Sequence, residues 1–155
     1  MIAHVSMPAD DCAHVARTLA SMMNGGALRF PPGGPDAWNA WSRRNDFQIV
    51  VTPRGQLIVE GPEEQAWGRR QDDAHAERAA ETHFAIAVDR SAAEVVAIAE
   101  QAGWRARVCN RGGLFDLVEV WVEGAYLVEV LDPAQMADYR RSMTVEGWQK
   151  AFGLG

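Results

Sequence analysis

The sequence predicts one α+β domain assembled from two copies of a βαβββ half. Three observations carry that expectation. Histidines open equivalent segments at His4 and His83, an offset of 79 residues. At that offset HVSMPADDCAHVARTLASMMNGG faces HFAIAVDRSAAEVVAIAEQAGWR without a gap, so that Asp10 meets Asp89, Leu19 meets Ile98, and Asn24 meets Gly103. Each copy then reads as a short apolar strand, an acidic turn, an amphipathic helix, a small residue and further strands.

The second copy is the more legible. Thr82 to Val88 is apolar and bounded by Asp89, so it reads as a strand. Ser91 caps the following helix, and Glu94 completes a capping box. Val95, Ile98, Ala99 and Ala102 form its apolar stripe, and Gly103 suits the left-handed residue that ends it. Strands follow over Trp104–Cys109, Phe115–Val122 and Ala125–Leu131, with Arg111-Gly112-Gly113 and Glu123-Gly124 as turns. In the first copy the strand is Ile2–Met7, and the helix runs from about Ala9 to Met23. Strands are then expected near Ala27–Phe30, Trp38–Ser42 and Phe47–Thr52, with a proline-rich loop from Phe30 to Pro35.

The modules span 1–53 and 82–133, joined by a linker over 54–81. Within the linker, Leu57–Glu60 is a candidate short strand and Asp72–Ala80 a candidate surface helix in a polar, charged stretch. A helical tail covers 134–155, and Met136, Tyr139, Met143 and Trp148 are expected to pack it back on the body.

Composition narrows the function. The chain has 155 residues, 48 % hydrophobic and 23 % charged, a balance that can fill a core. Net charge is −6 and the arginines cluster only in isolated pairs, which argues against nucleic acid. No apolar run approaches the roughly 20 residues of a membrane span, and the N-terminus has no signal-peptide pattern. Cys12 and Cys109, without a CxxC, read as reduced thiols of a cytoplasmic protein. Gly25-Gly26 and Gly33-Gly34 lack the lysine and context of a phosphate loop.

The chemistry-bearing residues lie in the strands. His4 and His83 occupy corresponding strand positions, and Glu129 interrupts the apolar run Tyr126–Leu131. A carboxylate there is costly to bury unless paired or metal-bound. Two histidines and a carboxylate from different strands suit Fe(II), Mn(II), Ni(II) or Zn(II). Glu119, in Asp116–Trp121, is a candidate general base or part of an exposed strand face. Trp38, Trp41 and Trp121 could line an apolar pocket or pack the core. His14 and His75 read as solvated surface.

This pattern resembles the vicinal oxygen chelate superfamily, which includes glyoxalase I, extradiol dioxygenases and bleomycin-resistance proteins. The resemblance rests on His4 in Ala3-His4-Val5, His83 in Thr82-His83-Phe84 and Glu129 in Leu127-Val128-Glu129-Val130, and covers residues 2–133. It implies a glyoxalase-like open eight-stranded sheet with a cleft, His4, His83 and Glu129 as ligands of a divalent metal ion, a small-molecule substrate and a homodimer. The activity implied is metal-dependent lyase, isomerase or dioxygenase chemistry on a substrate with adjacent oxygens. The alternative is a metal-free binding protein of the drug-sequestering kind. One position departs from the pattern. Where a closing Glu would stand in the first copy there is Val50; Gln48 and Thr52 share its face, and the nearest strand-like acid is Glu60. The site then has three protein ligands, gains Glu60, or has lost its metal.

Overall fold

The computed structural model describes residues 4–44, 46–59, 68–71, 83–144, 146–147 and 150. Two compact units emerge, residues 1–21 with 25–80 and residues 22–24 with 81–155.

In the first unit, β1 (His4–Ala9) leads into α1 (Cys12–Met22), followed by β2 (Ala27–Arg29), a 3-10 turn (Pro31–Gly33), β3 (Trp38–Trp41) and β4 (Gln48–Pro53). The sheet order is β1-β4-β3-β2, with β1 parallel to β4 and the other pairs antiparallel. The helix starts later than its apolar periodicity suggests. Pro8 and Ala9 remain in β1, paired with Thr52 and Pro53, and the Asp11 side chain accepts from the His14 amide at 2.9 Å. Val15, Ala16 and Leu19 form the buried stripe of α1, and the Arg17 guanidinium lies 4.6 Å above the Trp38 ring. His14 is exposed, as expected of a solvated helix residue.

The candidate strand after β4 is present as β5 (Gln56–Val59). It pairs antiparallel with β6 (Gly68–Gln71), a strand that the polar composition of the linker concealed. Glu60, His75 and the expected helix over 72–80 lie outside the described residues.

The second unit repeats the plan. β7 (Phe84–Ala87), α2 (Ala92–Gln101), β8 (Arg105–Asn110), β9 (Asp116–Val122) and β10 (Tyr126–Leu131) form a sheet ordered β7-β10-β9-β8. Its outer parallel pair, β7 with β10, matches β1 with β4. The capping box is present: Ser91 accepts from the Glu94 amide, and the Glu94 carboxylate accepts from the Ser91 amide at 2.9 Å. Both copies end their helix with a left-handed residue at the equivalent position, Asn24 at φ 53° and Gly103 at φ 78°.

A third helix, α3 (Pro133–Ser142), begins at Asp132. One Asp132 oxygen accepts from the Gln135 amide at 2.8 Å, and the other from the Ala92 amide at 3.3 Å, so a single carboxylate caps the starts of α3 and α2. Met136 and Tyr139 pack α3 onto buried Phe115, Leu117 and Leu131, with the Phe115 and Tyr139 rings edge-on at 5.0 Å. Met143 is exposed instead of packed, because the helix has ended one residue earlier. Trp148 lies outside the described residues. No helix among the described residues is long and apolar enough to cross a membrane.

Candidate functional site

Side chains alternate across a strand, so odd and even positions of β9 and β10 face opposite sides. The even residues Val118, Val120, Val122, Val128 and Val130 are fully buried on the face that α2 covers. The odd face carries Leu117 and Leu131 beneath α3 at one end. Beyond them it turns ionic. Strand register places Arg107 opposite Glu119, Glu119 opposite Glu129, and Glu129 opposite Ala85, one row across four strands.

Two carboxylates directly opposite each other repel unless a cation stands between them. Arg111 supplies it. Its Nη2 donates to Glu129 Oε1 at 2.6 Å and to Glu119 Oε1 at 2.9 Å. Arg107 donates from Nε and Nη2 to Glu119 Oε2 at 3.3 and 3.1 Å. Arg111 reaches back over the sheet because the β8–β9 turn folds tightly after it. Gly112 and Gly113 are left-handed at φ 62° and 79°, and the Gly113 amide donates to Asn110 Oδ1 at 2.6 Å.

The electrostatics follow from these contacts. Burial pushes the Glu119 carboxyl up, but hydrogen bonds from Arg111, Arg107 and Cys109 outweigh it and hold the group below its ordinary value. The Glu129 hydrogen bond raises Arg111 against the opposing effect of burial. Glu119 is 8 % exposed and fully charge-paired, which makes it a poor proton acceptor at neutral pH.

Of the residues singled out in the sequence, Glu119, Glu129 and His83 come together on this face. His83 Nε2 stands 3.8 Å from Glu129 Oε2, with the imidazole exposed just before β7. His4 begins β1 of the first unit and is also exposed. Register supports the repeat equivalence of Val50 and Glu129: Ser6 pairs with Val50 as Ala85 pairs with Glu129. The first unit's row is therefore Leu28, Asn39, Val50 and Ser6, without a charge. Asn39, at 1 % exposure, donates to Gln48 Oε1 at 2.6 Å, and its Oδ1 has no partner among the described residues. Trp38 lies under Arg17, whereas Trp121 lines a cavity with Arg105 and Arg107.

Arg107 and Arg111 are the residues that the sequence reading missed. The signal was present: a hairpin closed by Arg111-Gly112-Gly113 puts Arg107 across from Glu119, and an odd-numbered Arg111 follows on the same face.

The donor chemistry bears on the implied metal. Within each unit, no three His, Cys, Asp or Glu side chains among the described residues are grouped to hold an ion. The second unit offers two donors, His83 and Glu129, and one Glu129 oxygen is already bonded to a guanidinium. This set by itself does not fit a metal centre.

The architecture has counterparts among solved structures. The fosfomycin resistance protein FosX from Mesorhizobium loti superposes with a TM-score of 0.53 at 11 % identity, covering 91 % of this chain and 98 % of that one. Glyoxalase I from Leishmania major gives 0.48 at 13 % identity, covering 100 % and 99 %. A glyoxalase/bleomycin resistance protein/dioxygenase from Alicyclobacillus acidocaldarius gives 0.47 at 14 %, covering 88 % and 96 %. No protein-family model and no curated protein sequence matches the chain. The chain shares its α+β fold of two βαβββ units with the FosX structure.

Proposed function

We propose that this chain is a small-molecule binding protein that works without a metal, using the ionic face of its second unit. One observation carries the reading. Arg111 bonds to both Glu119 and Glu129, so the carboxylate expected to bind metal already has its counter-charge. Displacing a guanidinium from a nearly buried carboxylate would cost a metal much of its binding energy. The uncharged row of the first unit, with Val50 opposite Asn39, supports the same reading.

The competing reading is a metal-dependent lyase, isomerase or dioxygenase, with His4, His83 and Glu129 as ligands and Glu119 as base. The 3.8 Å approach of His83 to Glu129 favours it. A divalent ion held there would polarise adjacent substrate oxygens.

Metal analysis of the chain purified without an affinity tag, and titration with Mn²⁺, Ni²⁺, Zn²⁺ and anaerobic Fe²⁺, separates the two. The expected result is substoichiometric metal and weak binding that His83→Ala leaves unchanged. One equivalent of metal per chain, lost in His83→Ala, would overturn the proposal.

A further inference from the structure

We propose that the β8 edge of the second unit is a recognition pocket for a flat aromatic monocarboxylate that carries a hydrogen-bond donor, such as an amino group, at its far end. The inference rests on the small-molecule binding reading above and supplies its ligand class.

A cavity of about 470 Å³ opens at this edge, lined by Glu100, Trp104, Arg105, Ala106, Arg107 and Trp121. Its volume lies in the lower part of the range of about 300–1,000 Å³ typical of ligand pockets, which suits a one- or two-ring molecule. The lining follows from the strand pattern. Arg105 and Arg107 alternate onto one face of β8, and Trp121 stands directly opposite Arg105 on β9. Trp104 is buried at the root of β8, and Glu100 projects from the last turn of α2. The indole of Trp121 is only half-buried, which leaves aromatic surface for a planar ring.

Charge sets the rest of the ligand. Across the ionic face, Arg107 and Arg111 are matched by Glu119 and Glu129. Arg105 has no carboxylate partner among the described residues, so one guanidinium of the lining is left over to meet a ligand. That guanidinium, beside the remaining donors of Arg107, suits a monocarboxylate through paired N–H···O bonds. A dianion such as a phosphate monoester would lack a second counter-charge and would face the Glu100 carboxylate. Glu100 instead accepts from a donor at the opposite end of the ring. Carboxylate, ring and donor thus meet Arg105, Trp121 and Glu100.

Calorimetric titration of the full chain with 4-aminophenylacetate, phenylacetate and 2-phenylethylamine tests the assignment. 4-Aminophenylacetate should bind tightest, phenylacetate about tenfold more weakly, and the amine without saturation. Arg105→Gln should weaken both acids about tenfold or more. Glu100→Gln should erase the preference for the aminated acid and leave phenylacetate unchanged. Circular dichroism of both variants should match the parent chain. No saturable binding by any of the three at millimolar concentration, or equal binding of the acids to the parent and Arg105→Gln, would overturn the ligand class. These results leave the metal content untouched, so failure of this inference is distinct from failure of the metal-free reading.

Discussion

Replacing Arg111 with Met keeps much of the side-chain volume and removes the cation between Glu119 and Glu129. Two charge-assisted hydrogen bonds are lost, at 2.6 and 2.9 Å. Each such bond contributes roughly 1.5–3 kcal/mol when shielded from water. Arg111 is itself one-third exposed, so solvent screens part of that, and Arg107 still serves Glu119. A net loss of about 2–3 kcal/mol at pH 7 follows, or roughly 5–10 °C in Tm for a domain of this length. The pH dependence is the sharper test. In the parent chain Glu119 sits below its ordinary value of 4.5, so its stabilising contribution is complete above that pH and is lost as pH falls beneath it. In Arg111→Met the Glu119 carboxylate loses one of its two counter-charges and is penalised as an anion. Protonating it relieves that part of the penalty, so the stability deficit should shrink between pH 7 and pH 4. Urea unfolding at both pH values measures this. A deficit below about 0.5 kcal/mol at pH 7, or one that stays constant on acidification, would refute the argument.

Asp132→Ala should cost about 2 kcal/mol in urea unfolding, since one carboxylate caps both α2 and α3; Asp132→Asn should recover a large part of it. Leu117→Ala, beneath α3 at 1 % exposure, should cost about 2–5 kcal/mol, and a loss below about 1 kcal/mol would mean that α3 does not seal that end of the sheet. The two left-handed helix ends should respond in opposite directions in thermal melts. Asn24→Gly should stabilise by roughly 0.5–1 kcal/mol, and Gly103→Ala, although space is open there, should destabilise by about 1 kcal/mol.

The repeat was legible because its strongest signals are local. The Ser91–Glu94 capping box, the Asn24 and Gly103 helix ends and the alternating strands each depend on residues close in sequence. β6 was hidden because Gly68–Gln71 is polar, and its strand character comes from pairing with β5 and not from its own hydrophobicity. The late start of α1 was hidden because Ala9 satisfies an apolar helix pattern while β4 claims it for the sheet, paired with Pro53. The candidate site was legible in its acids and not in its bases. A carboxylate inside an apolar run is conspicuous, whereas Arg107 and Arg111 flank a glycine turn where charged residues are ordinary. Only the strand register shows that both guanidinium groups return to the same two acids.

That ionic row also governs which sheets the second half of the chain can form. Arg107, Glu119 and Glu129 stand directly opposite one another on one face only in the observed alignment of β8, β9 and β10. Slipping β9 by one position against its neighbours would turn Glu119 toward α2, into the layer of fully buried valines, and would leave Arg107, Arg111 and Glu129 without it. A buried, unpaired carboxylate costs several kcal/mol, more than a few misaligned valine contacts could return. The charges therefore act as an alignment key during folding, rejecting shifted pairings that the near-uniform valine face would tolerate.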